Sequence, residues 1–353
     1  MGGGELKRLF AAALATGLVI GAGFAWAGPK HAFRESDDAG ANAVSPDDGH
    51  GPAAGHLPGR RQNMKLLSRV DLAGGSAEIT DVDAHKGYAY LGTDYARCPE
   101  NGGAGNGVFV VDVRKPKRPR QVAFIETQSR NGEGIHAFSV RTPAFEGDLL
   151  LISNESCGAE RHGGITIVDV TNPRRPNVLA SEVGDTDAND PNDPAPLLEP
   201  NDVHSVMGWS PGDKAYAVMT DNFEFGFLDI DIMDISDPRN PRLIAETGIG
   251  DEAFANAISP QLAYGENPNH HDMWVKKING RWVMMASYWD AGWVLLDVDD
   301  PANPTVIDDF DYAAGDPLAP GFFPEGNAHQ GTVEQEQQVL RWNRRGLRSF
   351  PGS

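Results

Sequence analysis

The chain has 353 residues, 40% of them hydrophobic, and carries 50 acidic against 30 basic side chains for a formal net charge of −20. That length and apolar content suffice for one large domain or two ordinary ones. The acidity argues against nucleic acid or an anionic membrane as a partner, because both require a basic face.

In chain order, Lys7 and Arg8 precede the apolar run LFAAALATGLVIGAGFAWA, which closes on Ala25, Trp26 and Ala27 before Gly28. A basic start, a short apolar stretch and an A-x-A site predict a secretory signal peptide over residues 1–27, cleaved rather than kept as an anchor. The mature protein is then secreted or held in the cell envelope, with no membrane span after cleavage. Residues 28–63 are rich in Gly, Ala, Pro, Asp and His without periodicity and read as a disordered linker.

Beyond the linker one phrase recurs: VVDVRKPKRP, IVDVTNPRRP, IMDISDPRNP and LLDVDDPANP. Each joins an aliphatic run to an Asp and two prolines, and another apolar segment follows. Proline lacks an amide hydrogen and fixes φ, so the run predicts a strand that must stop and turn into a second strand. The marker aspartates Asp112, Asp169, Asp234 and Asp297 lie 57, 65 and 63 positions apart. Two more strand-like segments precede each hairpin: AEITDVDA and GYAYLGTD, GIHAFSV and DLLLISNE, DVHSVMGW and KAYAVMTD, HDMWVKK and RWVMMASY. Four strands per unit, repeated, predict an all-β fold: a β-propeller of four-stranded antiparallel blades over residues 64–330, four complete with fragments of a fifth.

These hairpins resemble the LVIVD repeats, which form β-propellers in exported bacterial and archaeal proteins. The resemblance runs from about Met64 to Gln330 and implies the fold, but little about activity. MKLLSRVDL (residues 64–72) and PEGNAHQ (residues 324–330) read as the first and last pieces of one more blade whose middle is missing. In its place residues 331–353 form an aberrant, basic, glutamine-rich tail. Back-translated and read one base later, that tail can spell KFFVGTDEDF, close to KAYAVMTDNF of the third unit, so a truncated or frameshifted terminus is expected.

Cys98 and Cys157 occupy like places in neighbouring units, 14 and 12 residues before Asp112 and Asp169. In an exported chain this suits a disulfide stapling the two units; two unpaired thiols are the alternative. One histidine also recurs. His136, His204 and His271 fall 17, 16 and 16 residues before Ser153, Thr220 and Ser287, and His329 opens the fragmentary fifth unit in the same way. The first unit has Ala77 or Glu78 there. The first strand of a blade lines the channel, so these imidazoles are expected to ring its mouth with Glu133, Asp202 and Asp272 beside them. Such a set suits zinc, copper or iron; a structural polar ring is the bland alternative. The acidic loop GDTDANDPNDP could hold calcium less well, since it lacks the glycine at position six and has Pro196 where a bidentate Glu belongs.

The long connections, Gly184 to Pro200, Gly248 to Asn269, Ala313 to Gly326, Tyr95 to Asn106 and Ser156 to Gly163, all belong on the face where inner strands begin. Insertions on one face of a repeat protein mark a binding face. No G-x-S-x-G or H-E-x-x-H pattern occurs, and the cluster NGGAGNG is not followed by the Lys and helix of a phosphate loop. The expected function is a monomeric binding or scaffold module that meets an extracellular protein or small ligand through its long-loop face. The alternative is a metal-dependent oxidase whose histidine-ringed channel resembles that of the selenium-binding and methanethiol oxidase propellers.

Overall fold

The computed structural model describes residues 64–72, 78–94, 106–131, 134–155, 163–186, 200–221, 227–258, 269–289, 292–310, 328–333 and 340–342. Met1–Leu66 and Leu67–Ser353 are separate units, and only residues 64–66 of the first are described. The expected signal peptide, the linker, the Cys98 and Cys157 pair, Glu133 and most of the long-loop face lie outside the described residues.

Four antiparallel sheets of four strands follow one another in the chain. The first contains β1 (Glu78–His85), β2 (Tyr88–Asp94), β3 (Asn106–Asp112) and β4 (Arg120–Thr127). The second contains β5 (Ile135–Arg141), β6 (Glu146–Ser153), β7 (Ile165–Asp169) and β8 (Asn177–Val183). The third contains β9 (Val203–Trp209), β10 (Tyr216–Asp221), β11 (Ile230–Asp234) and β12 (Arg242–Thr247). The fourth contains β13 (His270–Ile278), β14 (Arg281–Tyr288), β15 (Gly292–Asp297) and β16 (Thr305–Phe310). Each first strand touches the next: β1 meets β5, β5 meets β9 and β9 meets β13. This is the blade arrangement of a β-propeller. Beyond it, β17 (Gly331–Val333) packs on β13 and β14 and pairs with β18 (Leu340–Trp342), so part of the tail extends the sheet series.

The core lies between blades. Alternation along a strand sends Ile165 and Ile167 of β7 into the cluster shared with the third blade, and Val168 with Val170 into the cluster shared with the first. A third cluster joins Met207, Val218 and Ile232 to Met273, Met284 and Leu296 of the fourth blade. One short helix, α1 (Glu252–Ala257), lies within a connection expected from sequence only to be long. Asp251 caps it by accepting from the amides of Ala253 and Phe254, and Phe254 is buried in that third cluster.

The repeated phrase has a local cause. The marker carboxylates accept the amide two residues on: Asp169 from Thr171 at 2.9 Å, Asp234 from Ser236 at 2.8 Å, Asp297 from Asp299 at 2.9 Å and Asp112 from Arg114 at 3.2 Å. A second turn follows, with Asn172, Asp237 and Asp300 accepting the amides of Arg174, Arg239 and Ala302. Its backbone bond runs from Arg175 to Asn172, Asn240 to Asp237 and Asn303 to Asp300, which puts Pro173, Pro238 and Pro301 at the second turn position that their fixed φ suits. Asp169→Ala should therefore lower unfolding stability by about 1 kcal/mol, while Asp169→Asn, which keeps the acceptor, should stay within about 0.5 kcal/mol of the parent in urea denaturation. Equal losses in both would show that the turn does not depend on the side-chain acceptor.

Between blades, side chains replace the ladder. Asp81 Oδ2 accepts the Ile135 amide at 2.9 Å, Asp83 Oδ2 the Ala137 amide at 2.6 Å, and His136 Nδ1 the Gly208 amide at 2.9 Å. The Val275 amide points to Met207 Sδ at 3.0 Å. Each inner strand thus satisfies amides of the next one.

Candidate functional site

The inner strands of the third and fourth blades begin irregularly. In β9 the pairs Val203–Asp221 and Val206–Met219 leave an extra residue on the inner strand, and His204 sits in that bulge. In β13 the pairs His270–Tyr288 and Asp272–Ser287 leave His271 as the extra residue. A bulge re-aims the side chain it carries. His204 Nε2 and His271 Nε2 come within 3.2 Å, although 67 positions separate them in the chain. His329 joins them from the segment before β17, its ring centroid 4.1 Å from that of His271, and Trp289 lies against both, 4.8 Å from His271 and 5.8 Å from His329.

His136 does not join this group. β5 has no bulge at its start: His136 pairs with Leu151, and it is Gly134 that accepts from the Ser153 amide. The imidazole instead stacks on Phe138 at 5.4 Å and binds the Gly208 amide. Of the acids expected beside the histidines, Asp272 accepts its neighbour Met273's amide at 2.7 Å, and Asp202 is half-buried just before β9.

The carboxylate that does reach the cluster is Glu155. Its Oε1 lies 2.6 Å from His204 Nδ1, and its Oε2 takes Arg130 Nη2 at 2.8 Å. The two ends are tied through backbone, with the Glu155 amide donating to the Arg130 carbonyl and the Val203 amide to the Asn154 carbonyl. Burial would push the Glu155 carboxyl up, but the His204 hydrogen bond, the charge His204 carries when protonated and Arg130 outweigh it and hold the group below its ordinary value. His271 is held well below the usual histidine range, first by burial and then by the charge that His204, His329 and His270 carry when protonated. Burial therefore favours its neutral form. Among the described residues no three His, Cys, Asp or Glu side chains already surround one ion position. Two imidazoles do meet a simple fit test: tetrahedral ligands about 2.0–2.1 Å from an ion lie ~3.3 Å apart, close to the 3.2 Å between the two Nε2 atoms.

Behind this cluster lies a buried polar network. Asp229 Oδ2 accepts the His270 amide at 2.8 Å, Tyr288 donates its hydroxyl to Asp229 Oδ1 at 3.0 Å, and His270 Nδ1 lies 3.2 Å from the Asp229 carbonyl. Burial drives the Asp229 carboxyl up to about 7 and the His270 imidazole down to about 4. At the opposite end of the first two blades, Ser139 Oγ donates to Asp148 Oδ1 at 2.7 Å, and His85 Nε2 lies 3.0 Å from that oxygen and 3.3 Å from the hydroxyl. A nucleophilic triad needs serine and carboxylate on different imidazole nitrogens, so this arrangement braces the turn rather than activating the serine.

The LVIVD repeat family model matches residues 157–182, which contain the second marker hairpin. Similar solved structures include the periplasmic gluconolactonase of Pseudomonas aeruginosa, 14% identical over 77% of this chain and 66% of that one with a TM-score of 0.49. The exo-β-1,3-galactanase of Clostridium thermocellum is 12% identical over 68% and 50%, with a TM-score of 0.41. A GH43_1 enzyme of Xanthomonas citri is 10% identical over 75% and 80%, with a TM-score of 0.40. The chain therefore spans about half to two thirds of the length of the first two. No curated protein matches.

Proposed function

Starting from a β-propeller that carries the LVIVD repeat, we propose that the protein is a binding module and that its ligand is a transition-metal ion held between His204 and His271. The approach of their Nε2 atoms to 3.2 Å carries this reading. Both nitrogens belong to buried or half-buried rings, and His271 is neutral at ordinary pH. His329 supplies a third imidazole once its ring turns away from the face of His271 toward the same point. Nitrogen donors without thiolate suit zinc, copper or iron rather than calcium. Of the two functional expectations only the oxidase required a metal at the histidines; the scaffold on the long-loop face did not, and binding of an ion here assigns no reaction. The apolar leader in residues 1–27 supports a place outside the cytoplasm, where the ion would be taken up.

The test uses the full chain purified without an affinity tag, stripped with chelator and titrated with Co(II) or Zn(II). One equivalent should bind, His271→Ala should lower the affinity at least ~100-fold, and His136→Ala should leave it within about threefold. No saturable equivalent in the wild type, or an unchanged affinity in His271→Ala, would overturn the site.

A further inference from the structure

We propose that Glu155 is a positioning residue that holds His204 in the tautomer protonated on Nδ1, so that an unprotonated Nε2 faces His271. The inference rests on the metal-binding reading for its purpose, but its evidence is separate. An ionised carboxylate only accepts hydrogen bonds, so the 2.6 Å contact from Glu155 Oε1 to His204 Nδ1 requires a proton on that nitrogen. Arg130, at 2.8 Å from Oε2, occupies the second oxygen and keeps the carboxylate from turning to another donor.

The contact is built into the backbone as well. Glu155 lies in an isolated antiparallel bridge with Arg130, and the residue before it accepts from Val203, the residue before His204. Carboxylate and imidazole therefore sit on two strand ends already fastened together, and little side-chain freedom remains to be lost when they meet. A neutral imidazole whose Nδ1 carries the proton must have a bare Nε2. That atom is the one 3.2 Å from His271. A carboxylate behind a ligating imidazole fixes ring and tautomer and raises ligand basicity, an effect worth about 10–100-fold in metal affinity.

The experiment is nitrogen-proton correlation spectroscopy on full-chain protein with 15N-labelled histidine, with the His204 signals assigned by their loss in His204→Asn. Metal-free wild type should show His204 protonated on Nδ1 and bare on Nε2, and Glu155→Ala should lose that preference. Glu155→Gln, which keeps shape and an acceptor oxygen, should hold it in part. In a parallel Co(II) titration Glu155→Ala should bind about 10–100-fold more weakly with an unchanged visible band shape. A wild-type His204 protonated on Nε2 or on both nitrogens overturns the proposal without any variant, and so does an unchanged tautomer in Glu155→Ala. If the wild type shows the stated tautomer yet takes up no Co(II), the metal reading fails while the role of Glu155 stands.

Discussion

Replacing Asp229 by asparagine should make the protein more stable above pH 7 and change how its stability runs with pH. Asp229 is buried, and its carboxyl is pushed up to about 7, first by burial, with the His270 amide and the Tyr288 hydroxyl acting the other way. Below about pH 4 the group is protonated in both folded and unfolded chains, and it exacts no penalty. As pH rises the unfolded chain releases the proton first, so stability falls between about 4 and 7 by on the order of 4 kcal/mol and then levels off. His270 runs in the opposite sense. Burial holds it down to about 4, so protonation of the unfolded chain destabilises the fold as pH drops below about 6.5, and stability rises by about 3 kcal/mol between 4 and 6.5. The two slopes oppose each other in the wild type. The amide of Asp229→Asn would keep an oxygen for the His270 amide and turn its NH2 toward the Tyr288 hydroxyl, which can rotate to accept, while removing the charge. Urea unfolding at four pH values from 4.5 to 8 should then show a stability difference, variant minus wild type, that grows with pH and is flat beyond about 7. Parallel curves for the two proteins would mean that Asp229 does not titrate across this range.

The same physics explains what the sequence discloses and what it hides. Blades were legible because each repeats one local device: an Asp that accepts an amide two residues on, then a proline at the turn position that fixes φ. Local devices leave local patterns. The histidine cluster was legible only in part, because counting back from Ser153, Thr220 and Ser287 runs through hairpins of unequal length. Four residues separate Arg141 from its partner Glu146, six separate Trp209 from Tyr216, and two separate Ile278 from Arg281. Equal spacing in the chain therefore did not mean equal register on the sheet: Gly134, two residues before His136, meets Ser153, whereas Asp272, one residue after His271, meets Ser287. Bulges at the starts of β9 and β13, which have no simple sequence signature, complete the difference. Glu155 was missed for a related reason. Acids beside the histidines in sequence drew attention, yet neighbours on a strand point to opposite faces, as Asp272 does when it turns back to Met273. The partner came instead from just past the second strand of the preceding blade, two residues after Ser153.

Gly134 is where that difference in register has its largest expected consequence. A Cβ added there would lie 2.5 Å from the Val206 amide nitrogen, 2.8 Å from Ser205 Cα and 2.9 Å from Ser153 Oγ. The first two are backbone atoms of β9, which cannot swing aside as a side chain tip does, so blades two and three must move apart. Overpacking of this kind costs about 1–3 kcal/mol, and the upper end applies because the obstacle is main chain. The displacement falls on Ser205, next to His204, and on the strand end fastened to Asn154 and Glu155. Gly134→Ala should therefore both lower the unfolding free energy by about 3 kcal/mol and weaken Co(II) binding at least ~10-fold. Gly212→Ala is the control: it lies in the hairpin between β9 and β10 at φ +68 with nothing within 4 Å, so only backbone strain of about 1 kcal/mol is expected. Its Co(II) affinity should be unchanged. A Gly134→Ala protein as stable as the Gly212→Ala control would show that the blades have room to spare at this contact. Lost stability with intact metal affinity would instead place the ion away from the start of β9.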